Sequence, residues 1–403
     1  MADAADRPIL IAGAGIGGLT AAIAIARAGF PVALIEQATR FAEVGAGLQL
    51  SPNASRVLID LGLGAALARR ATSPDALIVH RLDGGRELAR MPISGASAAF
   101  GAPYWATLRA DLQTALIDAA RADRGISFLV GRKVEDVSVS NEGVTLRVRT
   151  SAGALETIEG RALIGADGLW SRVRNFVAPK AETRFANYEA WRALIPADAA
   201  PEAARRPITH LWIGREAHLV HYPVAGGRMI NLVLVRPTEK PRDAAHRETW
   251  GDDGDRAALD HLMRRMGATA RDLIAAAPNW QVWSLHDCAP LPLWTRGSVA
   301  LLGDAAHPVL PFLAQGAALA IEDAAVLAQE MSRASENLPR ALARYAARRM
   351  DRAARVQKAS RANARAYHAS GPIAWARNLI MARLDGQGML DRHRWIYGWT
   401  PNA

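Results

Sequence analysis

Short uncharged runs alternate with glycine-punctuated, alanine-rich stretches at the start of the chain, and that rhythm predicts the first elements. Pro8-Ile9-Leu10-Ile11-Ala12 has no polar position, as a strand buried on both faces requires. Leu19 to Ala28 favours helix, and Gly29 stands where a left-handed residue ends one. Pro31 to Ile35 is a second apolar run, closed by Glu36, so the segment reads as one βαβ unit. Ser51-Pro52-Asn53 offers a side-chain cap followed by proline, opening a helix toward Leu61 that Gly62 stops. Leu108 to Ala122 is an amphipathic helix, residues 126–150 alternate as strands with turns at Gly143 and Gly153, and Ala162 to Gly165 is a buried strand.

From about Thr183 to Leu285 the texture changes. Trp191, Trp212, Trp280 and Trp283 appear beside strand-like runs at His218–Tyr222 and Met229–Val235. Ser298 to Leu302 returns to strand, and Gly316 to Met331 is helical. No repeat or linker separates these textures. The expectation is an α/β fold in which a Rossmann-like domain (1–75, 100–182 and 286–335) is interleaved with a β-rich domain (76–99 and 183–285). A helical C-terminal segment (336–403) follows.

Composition narrows the class. With 403 residues, half of them apolar and 22% charged, the chain is neither disordered nor collagen-like. Its single cysteine, Cys288, allows no internal disulfide or structural zinc site and reads as structural. No metal site is expected. Met1 to Arg7 carries two acids and lacks the basic start of an export signal, so the expected location is cytoplasmic. Ile9 to Ala26 is uncharged and long enough to approach a membrane span, but Gly13, Gly15, Gly17 and Gly18 make it a poor continuous helix. No integral membrane segment is expected.

The formal charge of +10 is concentrated in one place. Leu338 to Ala369 holds nine Arg and Lys against Asp351 alone, spaced by threes and fours along a helix. Such a stripe either docks an anionic surface or is solvated and paired with carboxylates. The segment lacks interleaved aromatics and any nucleic-acid motif, which favours the second reading, and no nucleic-acid partner is expected.

Three motifs carry chemistry. Gly13-Ala14-Gly15-Ile16-Gly17-Gly18 follows a strand, opens a helix and is answered by Glu36 at the end of the next strand. In such a turn Gly13 permits the tight bend, Gly15 lets a diphosphate approach the backbone, and Gly18 lets helix and strand pack closely. An acid at position 36 suits an adenosine ribose and disfavours a 2′-phosphate. The second motif is Gly165-Ala166-Asp167-Gly168 running to Arg174, and the third is Gly303-Asp304-Ala305-Ala306-His307-Pro308, leading to Gly316-Ala317.

With these three signatures in order, the chain resembles the single-component, FAD-dependent aromatic hydroxylases of the para-hydroxybenzoate hydroxylase fold, most of all the salicylate and 3-hydroxybenzoate hydroxylases. The resemblance runs from about Ile9 to Gly398. It implies an FAD-binding domain interleaved with a substrate domain, with NAD(P)H, dioxygen and a small aromatic acid as reactants. It also implies oxygen transfer through a flavin C4a-hydroperoxide, and a homodimer is an open expectation. Asp304 and Arg109 would contact FAD, as would Asp167, although an Asp before Gly often only fixes its turn. The Val44-Gly45-Ala46-Gly47-Leu48-Gln49 segment would lie along the ring system, and the backbone N–H groups of Gly316 and Ala317 would face its pyrimidine edge.

The protein must add water exclusion, positioning and a base for a phenol, ideally one titrating near pH 7. His218 and Tyr222 share a strand face by their even offset, and the resemblance implies that they line the substrate pocket. His307 is a third catalytic candidate or a helix-start residue bonded to backbone. Arg192 is a candidate for the substrate carboxylate or the partner of an acid. Pro311 stands where the 3-hydroxybenzoate branch has a glutamine, so the exact acid does not carry over, and Phe312 and Leu313 make that wall apolar. Two other readings are a flavin oxidoreductase without oxygen transfer and a flavin-fold protein docking through its basic helix. A hydrolase is excluded by the lack of a G-x-S-x-G elbow.

Overall fold

Apolar runs with no polar face build the centre of the molecule. The computed structural model describes residues 7–41, 46–241, 252–254 and 256–402. A six-stranded sheet runs in the order Thr295–Arg296, Val299–Leu301, Ala162–Gly165, Ile9–Ala12, Val32–Glu36 and Ile126–Val130. It is parallel except at its first pair. Ile9, Leu10, Ile11, Leu34 and Ile164 are fully enclosed, because helices cover both faces of such a sheet. The Ile16–Arg27 helix packs between Arg109–Ala122 and Gly316–Arg333.

A second sheet has eight strands, ordered Asp252–Asp253, Gln281–Cys288, Thr183–Pro196, Met229–Pro237, His218–Val224, Ile208–Ile213, Ala76–Arg81 and Glu87–Pro92. Trp191, Trp212, Leu219, Leu232 and Leu234 line its outer face against the short helices Arg256–Met263 and Ala268–Ala275. Its inner face carries Ala190, Val235 and Leu285, which pack with Leu310 and Phe312 from beside the first layer. The small ribbon of Gly47–Leu50 and Trp105–Leu108 runs between the two sheets: the Gly47 amide donates to Asn231 of the eight-stranded sheet at 2.8 Å. A Cβ at position 47 would lie 2.6 Å from Asn231 Cγ, so only glycine permits this approach.

One local expectation needs correction. The helix Pro52–Asp60 forms, but Ser51 does not cap it with its side chain, because its hydroxyl donates to Asn53 Oδ1 at 2.6 Å. The basic stripe follows the expected reading, with part of it more deeply paired than a solvated face requires. The 30-residue helix Leu338–Tyr367 turns much of its positive charge inward. Arg348 pairs with Glu330, Arg349 with Glu322 and Asp323, Arg352 with Glu322 and Arg361 with Asp287, while Arg355 stacks 3.9 Å over the Trp395 ring. The buried carboxylates draw in these four arginines, so one side of the stripe is a seam, while Arg340, Arg344, Arg355, Lys358 and Arg365 remain exposed. Among the described residues no helix is long and apolar enough to cross a membrane.

Candidate active site

The glycine turn shows three different reasons for three glycines. Gly13 has φ of +99°, and a Cβ there would meet the Ala166 carbonyl oxygen at 2.4 Å. At Gly18 a Cβ would meet the Gly13 carbonyl oxygen at 1.9 Å. At Gly15 nothing lies within 4 Å, and no side chain caps the helix that begins beside it. Two glycines therefore close the turn and the middle one leaves a clear approach to free N–H groups, which fits a bound diphosphate. Glu36 spends its carboxylate on the same turn, accepting from Ala14 N at 2.8 Å and Ala38 N at 2.9 Å. It braces the loop whether or not it also accepts a hydroxyl.

The other two motifs meet beside this turn. Asp167 accepts from Ser171 Oγ and from the Arg172 and Val173 amides, capping the Arg172–Val177 helix. That is the turn-fixing use of such a residue. Arg174 donates to the carbonyls of Asp304 and Ala305, tying the second motif to the third. Burial pushes the Asp304 carboxyl above its usual range, against the lowering fields of His307, Arg109 and Arg174. Burial equally lowers Arg109, against the charge of Asp304. Asp304 and Arg109 therefore lie close enough for each to act on the other's charge. Gly316 opens the Gly316–Arg333 helix with nothing within 4 Å of where a Cβ would stand, and Ala317 follows it half-buried. Val44 and Gly45 lie outside the described residues, whereas Gly47 and Gln49 are in the ribbon between the sheets.

His307 is bound to a side chain and not to backbone. Its Nε2 lies 2.6 Å from Asp323 Oδ2, which also accepts the Gly303 amide at 3.0 Å. Asp323 and Glu322 in turn hold Arg349, each at 2.7 Å. Burial alone would raise Asp323, but the charges of His307 and Arg349 and their hydrogen bonds hold it at about 2. Asn53 continues the network, donating to Glu322 at 2.6 Å and to Gln315, the residue before Gly316, at 3.1 Å. The network thus holds both loops that would face a flavin, Gly303–Asp304 and Gln315–Gly316.

The inner face of the eight-stranded sheet has the opposite character. Arg192 is half-buried, stacks 4.4 Å over the Trp283 ring, and leaves its buried Nε without a hydrogen-bond partner. Burial lowers it to about 10, with the Tyr222 hydroxyl as the opposing influence. No carboxylate pairs with it among the described residues. Tyr222 is pushed up to about 12 by burial, against the charge of Arg192 and a hydrogen bond with Gln49. Gln49 Oε1 also accepts from Tyr104. His218 faces the same side, 5.3 Å from the Phe312 ring, while His221 faces away and accepts from Trp212 Nε1 at 3.1 Å.

One expectation for His218 fails: burial, then the neighbouring His368, pushes its pKa well below 6.5, so it is a neutral imidazole and not a group titrating near pH 7. Pro311 opens the turn Pro311–Leu313 beside it, and Tyr367 and Asn363 fix that turn by donating to the Phe312 carbonyl. Tyr104, Trp283 and His368 touch Gln49, Arg192 and His218 respectively, and the sequence gives none of them a site role. The first two carry no motif, and His368 sits at the end of a helix that reads only as basic.

Comparisons with known proteins agree with this geometry. Residues 6–360 match the family model described as an FAD binding domain. The chain is 37% identical over 394 residues to 3-hydroxybenzoate 6-hydroxylase 1 of Aquipseudomonas alcaligenes, covering 97% of each chain. To 3-hydroxybenzoate 6-hydroxylase of Polaromonas naphthalenivorans (strain CJ2) it is 34% identical over 399 residues, 98% of this chain and 97% of that one. Among solved structures, Klebsiella pneumoniae HpxO complexed with FAD and uric acid superposes with a TM-score of 0.82 at 25% identity, covering 96% of this chain and 95% of the other.

Proposed function

The chain belongs to the FAD-binding family of flavoprotein monooxygenases, and from that premise we propose that it hydroxylates a phenolic or heteroaromatic carboxylic acid, with a hydroxybenzoate as the leading case. The observation that carries the substrate class is Arg192: a half-buried cation whose buried Nε has no partner, and which no carboxylate pairs among the described residues, is suited to an anion brought by the substrate. FAD, when bound, takes a hydride from NAD(P)H and activates dioxygen for transfer to an electron-rich ring. The residues that would hold it are Gly13, Gly15, Gly18, Glu36, Arg109, Asp304, Gly316 and Ala317, on the six-stranded layer. The eight-stranded sheet supplies the substrate wall.

In this reading Arg192 clamps the carboxylate and Phe312 with Pro311 excludes water. Neutral His218 accepts a hydrogen bond from the phenol, which draws electron density into the ring, while Tyr222, protonated at neutral pH, donates a hydrogen bond. The test is turnover of 3-hydroxybenzoate and its hydroxylated relatives with isotopically labelled dioxygen. One labelled oxygen in the product is expected; NAD(P)H oxidation yielding only peroxide with every acid would overturn the reading. A cytoplasmic location belongs to the same proposal, since NAD(P)H is consumed. A homodimer does too: the Gly371–Arg383 helix leaves Ile373 and Trp375 72% and 69% exposed, an apolar face suited to a second copy, which sedimentation velocity checks.

A further inference from the structure

The ends of two distant elements meet at His218. His368 follows the last residue of the Leu338–Tyr367 helix, and its Nε2 lies 3.1 Å from His218 Nδ1. Its own Nδ1 lies 2.9 Å from the carbonyl oxygen of Ala364, in the last turn of that helix. A carbonyl can only accept, so His368 Nδ1 carries the proton. In a neutral imidazole the other nitrogen is then a lone pair, and His368 Nε2 must accept. Burial lowers the pKa of both rings, which keeps them neutral at pH 7. His218 Nδ1 is therefore the donor in the pair, and its Nε2 is left bare.

We propose that His368 is a positioning residue that fixes the tautomer of His218, so that a bare Nε2 is presented to the substrate hydroxyl. The helix end supplies the carbonyl that sets the order, since terminal carbonyls lack amide partners within the helix. The rings around the pair hold its orientation: Tyr188 stacks on His368 at 5.3 Å, and Tyr367 meets His218 edge-on at 5.3 Å. Arg377 is the nearest cation acting on His368, and Arg365 acts on Tyr188. Among the described residues no carboxylate acts on either histidine, and the Ala364 and Val235 carbonyls, which favour the protonated ring of His368, are outweighed by its burial.

This inference rests on the proposed role of His218, but its primary test does not. Nitrogen-15 spectra of histidine-labelled holoenzyme, with His218 assigned through the His218→Gln variant, report which ring nitrogen carries hydrogen. The expected signal is Nδ1–H with an unprotonated Nε2 in the wild type. In His368→Phe, which removes the acceptor, the Nε2–H form should appear. In His368→Gln, whose amide oxygen can accept, the wild-type tautomer should return. His218 found as Nε2–H in the wild type, or unchanged in His368→Phe, overturns the proposal.

Kinetics adds a second readout. His368→Phe should lower kcat for hydroxylation about a hundredfold while KM changes little, with rescue in His368→Gln. Loss of FAD binding or an equal loss in both variants would mark a merely structural contact and sink the idea. An enzyme that hydroxylates no phenolic acid would remove the functional reading, and the tautomer spectra would still decide the histidine pair.

Discussion

Two buried polar clusters lie on either side of the site, and they are built on opposite principles. Between the Gly316–Arg333 and Leu338–Tyr367 helices, Glu322, Asp323, Arg349 and Arg352 form a closed set in which carboxylates meet guanidinium groups at 2.6–2.7 Å. On the inner face of the eight-stranded sheet, Arg192 has no counter-charge among the described residues, and His218 and Tyr222 are held neutral by burial. A cluster whose charges are compensated needs no further counter-ion, although Arg349 Nη1 is left without a hydrogen-bond partner. An uncompensated one keeps its hydrogen-bonding capacity for a guest. In the proposed reading, the difference separates residues that position the cofactor loops from residues that meet substrate.

The sharpest way to break this distinction is to remove the enclosed cation from the closed set. Arg349→Ala takes away the charge that Glu322 and Asp323 share, and should destabilise the holoenzyme by about 3–5 kcal/mol. Chemical unfolding measures it. A loss below about 1 kcal/mol would show that the cluster is not a structural unit. Combining Arg349→Met with Glu322→Gln and Asp323→Asn should recover much of the loss, since fewer charges are then stranded.

At the other cluster the same operation should act on function. Arg192→Met removes a half-buried charge that no described carboxylate neutralises, so stability should hold or rise slightly. KM for a benzoate substrate should increase about ten- to a hundredfold, the worth of a charge-assisted hydrogen bond. Steady-state kinetics set beside unfolding curves for the two variants tests the comparison directly. Equal stability losses for Arg349→Ala and Arg192→Met would erase it.

What was legible in the sequence follows the same division. The glycine turn, Glu36 and the flanking strands are read within one βαβ unit, because the need for positive φ at Gly13 and close packing at Gly18 is local. The site face was half legible: an even spacing sets His218 and Tyr222 on one side of a strand, but the company of Arg192 comes from Trp283 on a neighbouring strand. The pairing of Arg349 with Asp323 depends on the rotation of two helices about their axes, which neither helix's own pattern specifies. The sequence therefore supports carboxylate pairing along the basic stripe without identifying the partners. His368 was invisible for a related reason, being joined to His218 only through the fold.

Acid should separate the clusters in order. His210 is lowered by burial to about 4, and His218 and His221 are also lowered, so the folded state resists protonation that the unfolded chain accepts near 6.5. Their depressed folded values mean that stability is full above pH 6.5 and falls as pH drops through the window toward 4. Asp323, at about 2 against an ordinary 3.8, contributes stability above 3.8 that is lost between there and 2. Each proton taken up on unfolding costs about 1.4 kcal/mol per pH unit. Unfolding at a series of pH values should show the histidine limb first, and His210→Phe should flatten that limb alone. A single limb confined below pH 4 would contradict the neutral reading of the sheet.

The smallest effect concerns the arginines that the closed set does not use. Arg344 and Lys358 are exposed on the same helix as Arg349 and make no ion pair among the described residues. If the stripe is a seam, its outward residues are ordinary solvated charge, and Arg344→Ala with Lys358→Ala should change stability by less than about 0.5 kcal/mol and leave turnover unaltered. If the stripe were instead selected for docking an anionic surface, these two exposed charges would matter most and the buried Arg349 least. Binding of vesicles rich in anionic lipid at low salt distinguishes the cases. Association abolished by the double variant would restore the docking reading; no association in the wild type would leave four arginines of this helix paired with Glu322, Asp323, Glu330 and Asp287 and the other basic side chains as solvated charge.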